Sequence, residues 1–463
     1  MLLLPFPPFL VSQFHFIHLR CGVRDDVTAF GSPPFKRPRL DALEAGARRE
    51  SEKLETPSCI IGRSYYISVH LESVSAARAA STPLSVAKNV EIYKEEQTKW
   101  TIYDGRPIEL HGPPVEIYNE TLAKLKHDLC DLSNAPEPSD DYISQTANLF
   151  RASAPIYDSE LLWRDAVFRP LCQLLDADVQ LCVKTSTEKS SRFTTEEDAA
   201  ICENLEDVSY GEKAAVVAYL ELKNELRLRG KAGLPVASSL CKHVSQKNVR
   251  LSVILLTFSV TDLDPSQYEK IRNVSCCPSI IISLAGPYLQ VSGAIFVEVF
   301  TVQPFTNYIY LGGNPFAIKQ VEYVARVFQA VARVVNSLRG YYFHLRVRGQ
   351  PKFCSPSPTY PPNSPSVEDL EFENRVLSGR KTDYSRLLFH ANFGDQPILI
   401  KFSETYGESA HRMLAAAGLA SALHYCSQIL GGAFMVVMDQ VHGRDAYHEF
   451  RHCDLPSTVL EDI

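Results

Sequence analysis

The chain has little of several things that would commit it to a function at a glance. Its twelve cysteines are scattered, with no Cys-x-x-Cys pair and only Cys276 and Cys277 adjacent. That spacing argues against a zinc site of the usual kind and favours reduced, intracellular thiols. No stretch is apolar over the about twenty residues that a bilayer span needs. The N-terminal MLLLPFPPFLVSQFHFIHL comes nearest, but Pro5, Pro7 and Pro8 interrupt it and it lacks a basic leading region, so it is a poor signal peptide and no membrane partner is expected. Positive charge is not in excess either. Lys and Arg number 47 against 54 Asp and Glu, a net charge of −7. No global field therefore draws the chain to nucleic acid or to anionic membrane, and any nucleic-acid contact must be local.

What is present is enough chain for more than one core: 463 residues with an ordinary 45% hydrophobic content. Residues 20–90 mix Ser, Ala, Pro and charge with little periodicity, and the region over 1–90 is expected to be mostly disordered. Lys36, Arg37 and Arg39 form a short basic cluster there, which weakly favours a nuclear over a cytoplasmic location. Residues 91–140 alternate strand-like pieces with the helical TLAKLKHDLCDL, in which Leu122, Leu125, Leu129 and Leu132 share a face. SNAPEPSDD breaks that pattern and places a boundary. A second block runs over 150–346, a Pro/Ser-rich linker of extended character over 347–368, and a last segment over 369–463.

The block over 150–346 carries the chemistry. It opens with a helix in which Leu161, Leu162, Ala166, Val167, Leu171 and Leu174 form an apolar stripe and Glu160 lies in the first turn. A strand over 178–188 follows, then an acidic stretch in which Asp198 precedes a small apolar run. AAVVAYLELKNEL over 214–226 contains the only Glu-x-Lys of the chain. Its β-branched and aromatic approach predicts a buried strand, so Glu221 and Lys223 point the same way while Leu222 turns into the core. A carboxylate of this kind can hold a divalent cation, and a neighbouring ammonium can orient water and stabilise charge on a phosphate. The same pair is also what an ordinary surface ion pair on a strand looks like. GLPVASSLCKHVSQK reads as a helix, RLSVILLTFSV, PSIIISLAG and YLQVSGAIFVEVFTVQPF as further strands. A long helix closes the block, with Val321, Val324, Ala325, Phe328, Val331, Ala332, Val335 and Leu338 on one stripe.

The order helix, strand, strand bearing Asp198, strand bearing Glu221-Leu222-Lys223, then helix resembles the PD-(D/E)XK, restriction-endonuclease-like nuclease superfamily. ELKNEL together with the run from Cys276 to Phe316 is similar to basidiomycete fungal proteins related to Crinkler-type effectors, which couple such a domain to a protein-kinase-like domain. The resemblance implies an α/β fold, a restriction-endonuclease-like mixed sheet flanked by helices. It also implies a metal-dependent phosphodiesterase site: Asp198 and Glu221 as Mg2+ ligands, Lys223 near the attacking water, and Glu160 as an outer carboxylate. Glu197 stands where that family has proline, so Glu196 or Asp207 can also supply the ligand. DNA or another nucleic acid is the partner implied. Lys223, Arg227, Arg229, Lys231, Lys242 and Lys247 give local basic character that would serve phosphate or simply meet solvent.

The last segment has a pattern of its own. DYSRLLFHANFGDQPILIKF reads as a hairpin turning at Gly394-Asp395, followed by a helix carrying Glu408 and a buried strand in GGAFMVVMDQV. This resembles the N-terminal lobe of a protein kinase, a β-sheet with its helix C. Lys401 stands for the phosphate-binding lysine, Glu408 for its helix partner and Met438 to Val441 for the hinge. No glycine-rich loop precedes Lys401, and no catalytic Asp, Asn or D-F-G motif follows before Ile463. Lys401 and Glu408 are then a vestigial ATP site, ATP is not expected to bind tightly and phosphotransfer is not expected of this chain. Three readings follow: a metal-dependent nuclease, active or degenerate, with a truncated kinase-like appendage; a fragment of a fungal-type protein kinase; or a non-catalytic scaffold for a protein partner.

Overall fold

The computed structural model describes residues 102–104, 112–175, 199–204, 214–223, 254–255, 258–259, 271–297, 299–313, 318–346, 354–367, 369–376 and 387–441. The expectations for residues 1–90, Asp198, the strand over 178–188 and the helix over 233–247 lie outside the described residues. All the described residues belong to one compact unit over 57–463.

Helices form where apolar side chains recur at helical spacing behind a cap. Asn119 accepts the N–H of Leu122 at 3.0 Å and opens α1 (Glu120–Cys130), which buries Leu122, Leu125 and Leu129. Ser139 accepts the N–H of Tyr142 at 3.3 Å and opens α2 (Asp140–Ser153). The broken stretch SNAPEPSDD is thus a capped connection within one helical layer, since α1 and α2 both pack on the long closing helix α4 (Ile318–Phe343). That helix buries the whole predicted stripe from Val321 to Leu338. Between them, α3 (Glu160–Leu175) buries Val167, Leu171 and Leu174 as expected. Leu161 and Leu162 depart from the expected stripe and are exposed; Trp163, fully buried, anchors the first turn in their place. A Leu, Val or Phe removed from water contributes roughly 1.5–3 kcal/mol before ordering costs, so the α4 stripe dominates this layer.

Strands β1 (Ile102–Tyr103), β2 (Ala199–Asn204), β3 (Ala214–Lys223), β6 (Ser279–Ala285), β7 (Tyr288–Phe296), β8 (Phe300–Pro304) and β9 (Ile309–Tyr310) make one mixed sheet in the order β1-β8-β7-β6-β3-β2, with β9 also on β7. Two short strands, β4 (Ile254–Leu255) and β5 (Phe258–Ser259), pair with each other within the expected strand RLSVILLTFSV. The β3–β6 and β1–β8 pairs are parallel and the remaining pairs of the large sheet antiparallel. Every residue of β6 is buried, which explains its continuous apolar run. Gly293 in β7 is required by packing: a Cβ there would lie 2.4 Å from the ring of Phe305.

The C-terminal residues form a second, wholly antiparallel sheet of β10 (Leu370–Arg375), β11 (Leu388–Phe393), β12 (Gln396–Ser403), β13 (Leu423–Gln428) and β14 (Phe434–Asp439), in the order β10-β11-β12-β14-β13. The β11–β12 hairpin turns at Gly394 and Asp395 as predicted, and α5 (Glu408–Ala416) lies between β12 and β13 in sequence. The molecule is therefore mixed in class, with two large sheets, the two-stranded β4–β5 ribbon and α-helices among the described residues.

Residues 354–367 join the two sheets and contain neither helix nor strand. They are nonetheless tied along their length. Ser357 donates its N–H to Ile117 O at 2.7 Å, Leu430 donates to Thr359 O at 2.7 Å, and the Tyr425 hydroxyl donates to Pro365 O at 2.9 Å. The segment expected as a spacer is a strap held by both sides. A single hydrophobic cluster runs from Val115, Val291 and Phe328 to Phe389, Ile400 and Met435.

Candidate active site

Strand β3 is driven inward by the apolar residues from Ala215 to Leu220, and the polar end of the strand follows them. Leu222 is fully buried while Glu221 and Lys223 share the opposite face, as the period of a strand dictates. Their side chains meet: Lys223 Nζ is 3.1 Å from Glu221 Oε1. The start of α3 comes to the same place. Ser159 accepts the N–H of Leu162 at 3.3 Å and Trp163 fills the core beneath, fixing the first turn that carries Glu160. Glu160 Oε1 then accepts from Lys223 Nζ at 2.9 Å. One ammonium is thus held between two carboxylates brought from separate elements.

The burial of the three groups is unequal. Glu221 is only 2% exposed, Lys223 partly exposed and Glu160 half in solvent. A carboxylate so deeply placed requires compensating charge and hydrogen bonds, and Lys223 supplies part of both. Register extends the site across the sheet. Glu221 stands opposite Ser283 on β6, and Ser283 opposite Gln290 on β7, so these three buried polar residues lie on one line. Spacing along the chain carries no signal for Ser283 or Gln290, because only strand pairing aligns them.

The donor set suits a hard cation in kind, since carboxylate oxygens are what Mg2+ prefers. Among the described residues no group of three His, Cys, Asp or Glu is placed to hold a metal ion. Glu221 is the described member of the expected ligand pair, and Asp198 lies outside the described residues, as do the alternatives Glu196 and Asp207.

The second expected site differs from its prediction in one respect. Lys401 lies on β12 and Glu408 is the first residue of α5, but no ion pair joins them. Glu408 accepts from Arg412 Nε at 2.8 Å, one turn along its own helix. The Lys401 ammonium stands over the Tyr406 ring, 5.6 Å from its centroid, and partial desolvation draws it below the ordinary lysine pKa. At the hinge position, Asp439 accepts from Gln396 Nε2 at 2.9 Å and lies 2.5 Å from His424 Nε2.

A third cluster escaped the sequence reading. The Cys276 and Cys354 thiols are hydrogen-bonded, Cys276 also contacts Tyr118 O at 3.7 Å, and the Tyr341 hydroxyl donates to Ser275 Oγ at 2.9 Å. The contact with Cys354 and burial both push the Cys276 thiol well above its ordinary pKa.

No helix among the described residues is long and apolar enough to cross a membrane. Comparison with protein-family models, curated proteins and solved structures finds no match to this chain.

Proposed function

We propose that the block over 150–346 is a divalent-metal-dependent phosphodiesterase of the restriction-endonuclease-like type acting on nucleic acid, carried beside a kinase-like N-terminal lobe without phosphotransfer activity. The observation that carries this reading is the convergence of Glu160, Glu221 and Lys223 from the first turn of one helix and the end of one strand. Glu221 together with Asp198 would hold Mg2+, which when bound supplies charge stabilisation at a phosphate. Lys223 donates to an incoming water or to a phosphate oxygen, and Glu160, accepting from the same ammonium, orients it. Burial keeps Glu221 in one position and excludes bulk water from its side of the cluster.

A second reading is favoured by the strap and its contacts. The strand order β10-β11-β12-β14-β13 with a helix between β12 and β13 supports a kinase-like N-lobe, yet Glu408 is engaged by Arg412 and not by Lys401. The lobe then serves as a platform for a protein partner, with ATP binding weak.

Incubation of the purified full chain with plasmid and oligonucleotide substrates in Mg2+, with EDTA controls, tests the first reading. Metal-dependent cleavage lost in Glu221→Gln is expected. Absence of cleavage by wild type under all divalent cations tried would leave the cluster a structural ion pair and favour the scaffold.

A further inference from the structure

The register of the large sheet places two tyrosines in line with Lys223. Lys223 pairs with Ala285 on β6, Ala285 with Tyr288 on β7, and Tyr288 with Tyr310 on β9. Directly paired residues of adjacent strands share a face, so the row Lys223, Ala285, Tyr288, Tyr310 crosses four strands on the face that also bears Glu221. At a strand spacing of about 4.8 Å, the backbone of Tyr288 lies about 10 Å from that of Lys223 and Tyr310 one strand further. Nothing larger than the methyl of Ala285 stands between them on that row.

The two rings form a unit. Their centroids are 5.2 Å apart with planes inclined at 46°, and Tyr310 is 46% exposed. Tyr310 is also held in place: Gln320 Nε2 donates to its carbonyl at 2.8 Å, and its hydroxyl lies where a Cβ on residue 312 would come within 2.5 Å, a position only Gly312 leaves open. Tyr308, two residues earlier, is 40% exposed. A positioned, partly exposed aromatic pair, in register with an ammonium flanked by carboxylates, is suited to a ligand with an aromatic ring near an anionic linkage.

We propose that Tyr288 and Tyr310 are a base-stacking subsite, taking an unpaired base a nucleotide or two along the strand from the phosphate held at Lys223, so that the preferred substrate is single-stranded nucleic acid. The proposal rests on the phosphodiesterase reading of the Glu160, Glu221 and Lys223 cluster. A base within a duplex is already stacked on both sides and cannot offer its face to a tyrosine, whereas an unpaired base can. Stacking reads no sequence, and its contribution is independent of charge, which matters on a chain whose net charge is −7.

Fluorescence anisotropy of the full chain with labelled oligothymidylate, oligouridylate and a blunt DNA hairpin tests this, with EDTA present so that the proposed metal-dependent cleavage cannot consume the probes. Wild type is expected to prefer the single strands over the hairpin, and the ratio of the DNA to the RNA affinity identifies the sugar. Tyr310→Leu should weaken single-strand binding about tenfold or more, while Tyr310→Phe, which keeps the ring, retains it. Equal single-strand affinity in wild type and Tyr310→Leu, preference for the hairpin, or no binding to any probe overturns the subsite. The two readings separate cleanly. Ring-dependent single-strand binding without Mg2+-dependent cleavage sustains the subsite and removes the phosphodiesterase. Cleavage with a kcat/KM unchanged by Tyr310→Leu sustains the phosphodiesterase and removes the subsite.

Discussion

Lys223 is shared between an inner and an outer carboxylate, and the two should answer mutation differently. Glu221→Gln preserves shape and leaves Lys223 its contact with Glu160, so its melting temperature should stay within a few degrees of wild type while divalent-dependent cleavage is lost. Lys223→Met removes a cationic partner from a carboxylate that is 2% exposed, and should cost stability as well, about 1–3 kcal/mol by denaturant unfolding. Equal unfolding midpoints for Lys223→Met and wild type would show that Glu221 does not depend on this ammonium. The pairing of Glu221 with Lys223 was legible in the sequence because two residues on a strand point alike. The third member was not legible from spacing, since Glu160 lies 63 residues before Lys223 and no local period connects them. It entered only through a family resemblance.

The cysteines allow a sharper test at the same scale. Hydrogen bonding to Cys354 and burial hold the Cys276 thiol well above its ordinary value, so at mildly alkaline pH it carries little thiolate. Cys172 is likewise raised to about 11 by burial. Cys130 is exposed to the reagent, whereas Cys276 is buried and Cys172 partly so. Mass-spectrometric alkylation of the native chain should therefore label Cys130 well before Cys172 and Cys276, and early labelling of Cys276 would mean that the strap bearing Cys354 opens readily. Lys401 goes the other way. Desolvation lowers its pKa, so between that value and the ordinary one near 10.5 the folded chain binds fewer protons than the unfolded chain. Stability from this group therefore rises with pH through that window. Acylation of Lys401 should therefore set in at a lower pH in the folded chain than in the unfolded chain, and the same onset in both would place Lys401 in ordinary solvent.

Among the elements, legibility followed burial. The continuous apolar runs of β3, β6 and β7 and the stripe of α4 announce themselves because their residues have no other place to go. The strands β10 and β13 gave no such signal. Leu370-Glu371-Phe372-Glu373-Asn374-Arg375 exposes three of its six residues, and β13 buries only Leu423. Both lie at sheet edges, where hydrogen bonds to one neighbour and not side-chain burial define the strand. The exposed Leu161 and Leu162 show the complementary error: the stripe on α3 is rotated toward Trp163, a residue whose bulk outweighs two leucines in fixing which face packs inward. The β13–β14 turn offers an element-level test. Gly431 has φ +92°, and a Cβ there would lie 2.8 Å from the Glu116 side chain, itself buried and paired with Lys126. Gly431→Ala combines backbone strain with that clash and should lower stability by about 1–3 kcal/mol in chemical denaturation. A variant as stable as wild type would show that the turn moves freely away from Glu116.

At the scale of the whole unit over 57–463, the question is whether the two sheets are separate bodies or one. The Pro/Ser composition of the strap suggested independence, because composition records what a segment cannot do alone and says nothing of what its neighbours supply. The structure adds contacts from both sides. Besides the strap hydrogen bonds, Arg375 on β10 is buried over the Phe389 ring, 5.2 Å from its centroid, and donates to the Tyr118 hydroxyl at 3.0 Å. Tyr118 in turn offers its carbonyl to Cys276, at the foot of the large sheet. A chain of contacts thus leads from the second sheet to the first without passing through the strap. Tyr118→Phe removes one hydroxyl and no packing, so it isolates this coupling from the rest. The loss of a buried acceptor facing a guanidinium should cost about 1–3 kcal/mol. Because the group lies between the sheets, hydrogen exchange should speed in the peptides of β11 and β12 as well as in those of β6 and β7. Faster exchange confined to one sheet would show that each unfolds by itself and that Arg375 and Tyr118 merely touch.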